Sequence, residues 1–259
     1  MKNRVQSHRI LLLATSLACL VCLAHGYGRA VPQPVAAPPS ETVTVFRSWI
    51  GVLEARQSPS ASWESPFGAP RPGELSDAQL ATALELRHLA RSGKMADLEA
   101  AIDRAVRENT EPATQIQFWL AYGLQAVGRR EAGLPRLVGL LRDPGALSGL
   151  DGGQLVWVMT SLADAQYLYG DRTEALDLYG LMAESTVAHL HLWGNYQLAG
   201  ADFLARDFTA ADRRYRLVCG QEPSESWREH ACEMAAIARR LAYPGTEGTE
   251  NGMAANVAR

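Results

Sequence analysis

Lysine is nearly missing from this sequence: Lys2 and Lys94 are the only two among 25 basic residues. Positive charge therefore comes from arginine, which we read as a trait of genome composition rather than of function. Three of the bases, Lys2, Arg4 and Arg9, fall in the first 26 positions, where there is no acid. Without that stretch 22 bases face 28 acids, a balance of about −6. An acidic balance argues against a nucleic-acid groove, which needs clustered cations to displace counterions. Cysteine is scarce, with four residues. Strand-like alternation is lacking from Ser76 to Tyr243, and so are a glycine-rich phosphate loop, a zinc motif and a nucleophile elbow. No catalytic residue, metal or cofactor is therefore expected. Hydrophobic residues at 47% against 20% charged still leave ample material for a folded core.

The longest apolar run, Ile10 to Ala24, follows a basic start. As a helix it would span roughly 22 Å, short of the roughly 30 Å hydrocarbon core of a membrane. That length suits a signal peptide over 1–26, with small residues Ala24 and Gly26 just before Tyr27. The chain is thus expected to be exported, into the periplasm if the source is Gram-negative. An uncleaved inner-membrane anchor through 10–24 is the main rival, and lipid attachment at Cys19 a third reading. Cys19 and Cys22 form a Cys-x-x-Cys, but both lie inside the apolar run and read as part of it.

Residues 27–75 read as a linker, since 31–73 hold eight of the thirteen prolines. "VPQPVAAPPS" cannot be helical, because each proline removes a donor and restricts its predecessor. Between the proline clusters, Phe46, Trp49, Ile50 and Leu53 fall at helical spacing and predict a short amphipathic helix. It either docks on the main domain or binds a partner; its face carries too few cations for a membrane surface. The tail over 244–259 has no apolar face and is expected to be disordered.

From 76 to 243 the chain repeats itself. Residues 156–179 and 192–215 are identical at nine of 24 positions. Trp157, Leu162, Ala163, Ala165, Leu168, Asp171, Thr173, Ala175 and Tyr179 return 36 residues later. A period in the thirties with helix–turn–helix character predicts stacked hairpins. Small residues recur where two helices cross closely, and aromatics where a gap to the next hairpin must be filled.

This pattern resembles the tetratricopeptide repeat (TPR). Ala163, Ala175 and Tyr179 match its two small places and its large place in one unit, and Ala199, Ala211 and Tyr215 in the next, which closes with Pro223. An earlier unit has Ala121, Gly128, Gly133, Leu137 and Pro144; its Pro135 departs from the pattern and suggests a second helix that starts late. A first, weaker unit carries Leu98 at a small place. Units then begin near 79, 114, 156 and 192, with an insertion around "GALSGLDGG" and a closing helix in "SWREHACEMAAIARRLAY". The resemblance implies an all-α, TPR-like solenoid of about four hairpins plus that helix.

It also implies a concave groove lined by the first helix of each unit. The groove places hold Phe118, Trp119 and Tyr122, then Trp157, Asp164 and Tyr167, then Trp193, Tyr196 and Phe203. Aromatics make up 7% of the chain, so their concentration here points to capture of an extended or helical apolar peptide. The competing reading packs several of these rings between hairpins. The expected partner is a protein or peptide, with the chain acting as an adaptor or scaffold in an envelope or secretion assembly. Two alternatives stand beside it: a glycan-binding or glycan-processing factor using Trp157 and Trp193 with Asp164 as acid, and a membrane-anchored spacer.

Cys219 and Cys232 end and open successive predicted helices, and in an exported chain they could form a disulfide or lie buried apart. His189 and His191 are two apart on a helix and point to different sides, which argues against a shared metal ion. Glu229, His230, Cys232 and Glu233 read as surface rather than catalysis.

Overall fold

A computed structural model describes residues 40–56, 75–108, 113–221 and 226–244. The expected signal peptide with Cys19 and Cys22, the proline-rich stretches and the tail beyond 244 lie outside the described residues. Among the described residues there are eleven helices and no strand. In chain order they are α1 (Glu41–Arg56), α2 (Asp77–Ser92), α3 (Met95–Glu108), α4 (Thr114–Ala126), α5 (Arg130–Arg142), α6 (Ala146–Gly149), α7 (Gly152–Tyr169), α8 (Arg172–Glu184), α9 (Ala188–Leu204), α10 (Phe208–Cys219) and α11 (Ser226–Ala242). The protein is all-α.

Helix starts follow from local chemistry. Ser76 and Asp151 each close a capping box with a glutamine three residues on, Gln79 and Gln154. Asp171 accepts from the backbone N–H groups of Thr173 and Glu174, and Asp207 from that of Ala210. These two recurring aspartates are therefore N-caps, each satisfying donors that the first turn leaves orphaned. Between α4 and α5, Gly128 takes φ +82°, a left-handed value that suits glycine.

One compact unit holds residues 39–194. In it α2 packs on α3 and α4, α3 on α4, α4 on α5, α5 on α7 and α7 on α8. The insertion between α5 and α7 is built in: Ala146 and Leu150 are fully buried, and Gln115 Nε2 donates to the Gly149 carbonyl at 2.6 Å. Ala163 and Ala175 are fully buried at the α7–α8 crossing, as the repeat pattern predicts. Closer still is Gly194, where an added Cβ would stand 2.5 Å from the Ala183 nitrogen.

α1 belongs to this unit. It packs on α5 and α8, the second helices of two hairpins, with Phe46, Trp49, Ile50 and Leu53 buried. Burying four such side chains contributes on the order of 8 kcal/mol of gross transfer free energy. Polar ties hold its C-terminal end: Glu54 accepts from Ser185 Oγ at 3.0 Å and Thr186 N at 2.8 Å, and Arg56 Nη2 donates to the Leu147 carbonyl at 2.6 Å. The amphipathic helix read from the sequence is thus docked in cis.

One expectation needs correction. α5 begins at Arg130, so Pro135 lies inside it and not in its first turn. The ring forfeits one helical hydrogen bond there. Buried Leu137, Leu140 and Leu141, on the following turns, hold the helix in place.

The other unit contains described residues 195–244. The last part of α9 pairs with α10 through Phe203 and Phe208, whose ring centroids lie 5.3 Å apart, and through Arg214, which bridges Asp202 at 3.0 Å and Asn195 at 3.1 Å. α10 packs along α11, and the Cys219–Cys232 disulfide joins them.

Candidate functional site

The expected groove residues do not share one environment. Phe118 and Trp119 are fully buried, which removes them from any open surface. They stack edge-on at 4.9 Å and act as backing for the rings above. Helical spacing alone could not separate them from Tyr122, because an apolar helix such as α4 buries more than one face.

Tyr122 and Trp157 are half-buried. Tyr122, on α4, meets Trp157, on α7, at 4.9 Å with the ring planes 42° apart. Phe118 lies beneath both, 6.3 Å from Tyr122 and 5.3 Å from Trp157. The result is a rigid aromatic platform that spans two consecutive hairpins. Burial pushes the Tyr122 hydroxyl up to about 12, so it stays protonated and polar at neutral pH.

Two turns along α7 from Trp157, on the same face, stands Asp164. Its Oδ1 accepts from Tyr179 Oη at 2.8 Å and from Trp193 Nε1 at 3.2 Å. As a residue Asp164 is half-buried, but its carboxylate is enclosed. Desolvation drives its pKa up to about 6, against opposing contributions from Tyr179, Trp193 and the charge of Arg130. Trp193 is half-buried and lies flat over His189, the planes 7° apart and the centroids at 6.5 Å. Tyr122, Trp157, Asp164 and Trp193 are thus held by α4, α7, α8 and α9 within residues 39–194.

Tyr167 has a different role. Arg172 lies 4.3 Å over its ring and donates to its hydroxyl, which ties the phenol to the α7–α8 turn. In the other unit Tyr196 is half-buried, with Tyr215 at 6.0 Å, Trp227 at 5.5 Å and its hydroxyl 2.9 Å from His230 Nδ1. It helps to hold the closing helix. Phe203 packs on Phe208.

Several partners were missed by sequence reasoning. The repeat pattern gives Tyr179 only a packing role, yet its hydroxyl donates to Asp164 Oδ1. Arg130 and the Glu54 clamp carried no sequence signal. Cys219 and Cys232, for which bonding and separate burial were both open, are bonded.

No family model, curated protein or solved structure matches this chain.

Proposed function

We propose that this chain is an exported, TPR-like solenoid that captures a protein or peptide partner on the aromatic platform of Tyr122 and Trp157. The observation that carries this reading is the pairing of those two half-buried rings at 4.9 Å over fully buried Phe118 and Trp119. Rings fixed before binding lose little side-chain entropy when a partner arrives. Such platforms favour apolar and aromatic groups, and they need no chemistry from the protein.

The succession of paired helices supports the solenoid reading. α2, α4 and α7 each pack on the second helix of their own hairpin, and α2 and α3 both meet the next hairpin at α4. Burial of Ala163, Ala175, Ala199 and Ala211 supports it as well. Export rests on residues 1–26, and a mature chain beginning at Tyr27 is the outcome expected from N-terminal sequencing.

The test is a photocrosslinking residue at position 122 in living cells of the source, with one at the exposed Ser48 as control. One dominant protein adduct at 122, lost in Trp157→Ala while the melting temperature holds, supports capture. Equal adducts at both positions reject it.

A second reading draws on Asp164. A carboxyl near 6, close to Trp193 and on the same helix face as Trp157, suits a general acid in a sugar-binding groove. Glycan turnover abolished by Asp164→Asn would carry that reading, and the absence of turnover would end it.

A further inference from the structure

α11 packs along α10 in the unit that holds residues 195–244, and the apolar face it buries there is made mostly of small side chains. Its buried apolar residues are Trp227, Ala231, Ala235 and Ala238. Three of these contribute a single methyl group each, and apolar stabilisation scales with the area removed from water. On α10 the buried face includes Asp212, only 2% exposed. One of its oxygens pairs with Arg216 at 2.8 Å, while Oδ1 is enclosed without a hydrogen bond. A desolvated carboxylate oxygen in that state opposes tight packing.

Trp227 and His230 meet Tyr196, and the Cys219–Cys232 disulfide adds a covalent tie. Cys219 and Cys232 are both half-buried rather than enclosed, which leaves the bond a path to an incoming thiolate. We propose that α11 is a redox-latched lid: the disulfide holds it on α10, and reduction releases it from Tyr215, Val218 and the ring of Tyr196. The co-reactant is a dithiol. Its thiolate attacks one sulfur, forming a mixed disulfide and freeing the other cysteine as a thiolate. The second thiol of the reductant then displaces the bound cysteine and leaves as the oxidised, cyclic disulfide. Two electrons and two protons pass in total to Cys219 and Cys232.

The experiment is hydrogen exchange by mass spectrometry on the mature chain, with and without dithiothreitol, complete reduction being verified by a thiol count. Reduction is expected to speed exchange of amides in 228–242 by about 100-fold while those in 152–187 hold their protection. The Cys219→Ser/Cys232→Ser variant should show the reduced pattern without reductant. Unchanged protection over 228–242 after full reduction would overturn the proposal and leave the disulfide a passive staple. Simultaneous loss of protection in 152–187 would overturn it too, because the chain would then be unfolding as a whole.

Discussion

Tyr179 reaches back across the α7–α8 hairpin to place its hydroxyl 2.8 Å from Asp164 Oδ1. Thirty-six residues on, the same two places are filled by Tyr215 and Gly200, and a Cβ on that glycine would stand 3.6 Å from Tyr215 Oη. The repeat therefore keeps the tyrosine for packing. The acid is an addition to one hairpin, which marks Asp164 as a residue with its own task.

Asp164 makes stability depend on pH with a definite sign. Its folded pKa of about 6 lies above the ordinary 3.8, so the folded chain binds the proton more tightly than the unfolded chain. The contribution is fully present below pH 3.8 and is lost as pH rises to about 6. Its size is on the order of 2–3 kcal/mol. Asp164→Asn should therefore gain stability relative to the parent by that amount between pH 4 and pH 6.5, measured by urea unfolding. Asp202, raised by burial, and Glu54, lowered by its bond from Thr186, are common to both proteins and cancel in the difference. A difference that stays flat with pH would show that Asp164 titrates normally.

Gly194 marks a close helix contact. A methyl group there would meet the Ala183 nitrogen at 2.5 Å, the Tyr179 carbonyl at 2.6 Å and Met182 Cβ at 2.8 Å. Two of the three are backbone atoms, which cannot swing aside. Gly194→Ala gains about 1 kcal/mol in helix propensity but loses about 3 kcal/mol to overpacking, a net destabilisation of about 2 kcal/mol. Gly180→Ala, with nothing within 4 Å, is the control and should be neutral or stabilising. Equal behaviour of the two variants in denaturant would refute the close approach.

The helical hairpins were legible because their constraints are local. Asp171 and Asp207 recur as caps, and Ala163 and Ala199 recur, fully buried, where bulk is not tolerated. Identity across the repeat is not burial, however. Leu168 and Leu204 also recur, yet they are 42% and 36% exposed at the ends of their helices. The site was only half legible. Spacing put Phe118, Trp119 and Tyr122 on one helix, but only tertiary packing decides which ring meets water. The Glu54 clamp joins residues 132 positions apart, which no local pattern encodes.

Docking of α1 predicts a large effect from a residue far from the platform. Trp49 is 2% exposed and belongs to the face that packs on α5 and α8. Trp49→Ala should cost about 3–5 kcal/mol in chemical unfolding, the range for deleting a buried ring. Ser48→Ala, one residue away and exposed, should change stability by less than about 0.5 kcal/mol. A small effect at Trp49 would mean that α1 is merely tethered and free to serve a partner.

The α9–α10 turn offers a stabilising change. Arg206 has φ +65°, the one described non-glycine residue in that region. Its turn repeats the bonding of the α4–α5 turn: Asp207 N donates to the Asp202 carbonyl at 2.9 Å, as Arg129 N does to that of Leu124 at 2.8 Å. The α4–α5 turn uses Gly128 at the left-handed place, whereas here a Cβ crowds the backbone. Arg206→Gly relieves that crowding but gives the unfolded chain more freedom, so the net gain is about 0.5–1 kcal/mol. A rise in the urea midpoint with an unchanged slope would bear this out. A fall would show that the Arg206 side chain contributes more to the fold than its backbone strain costs.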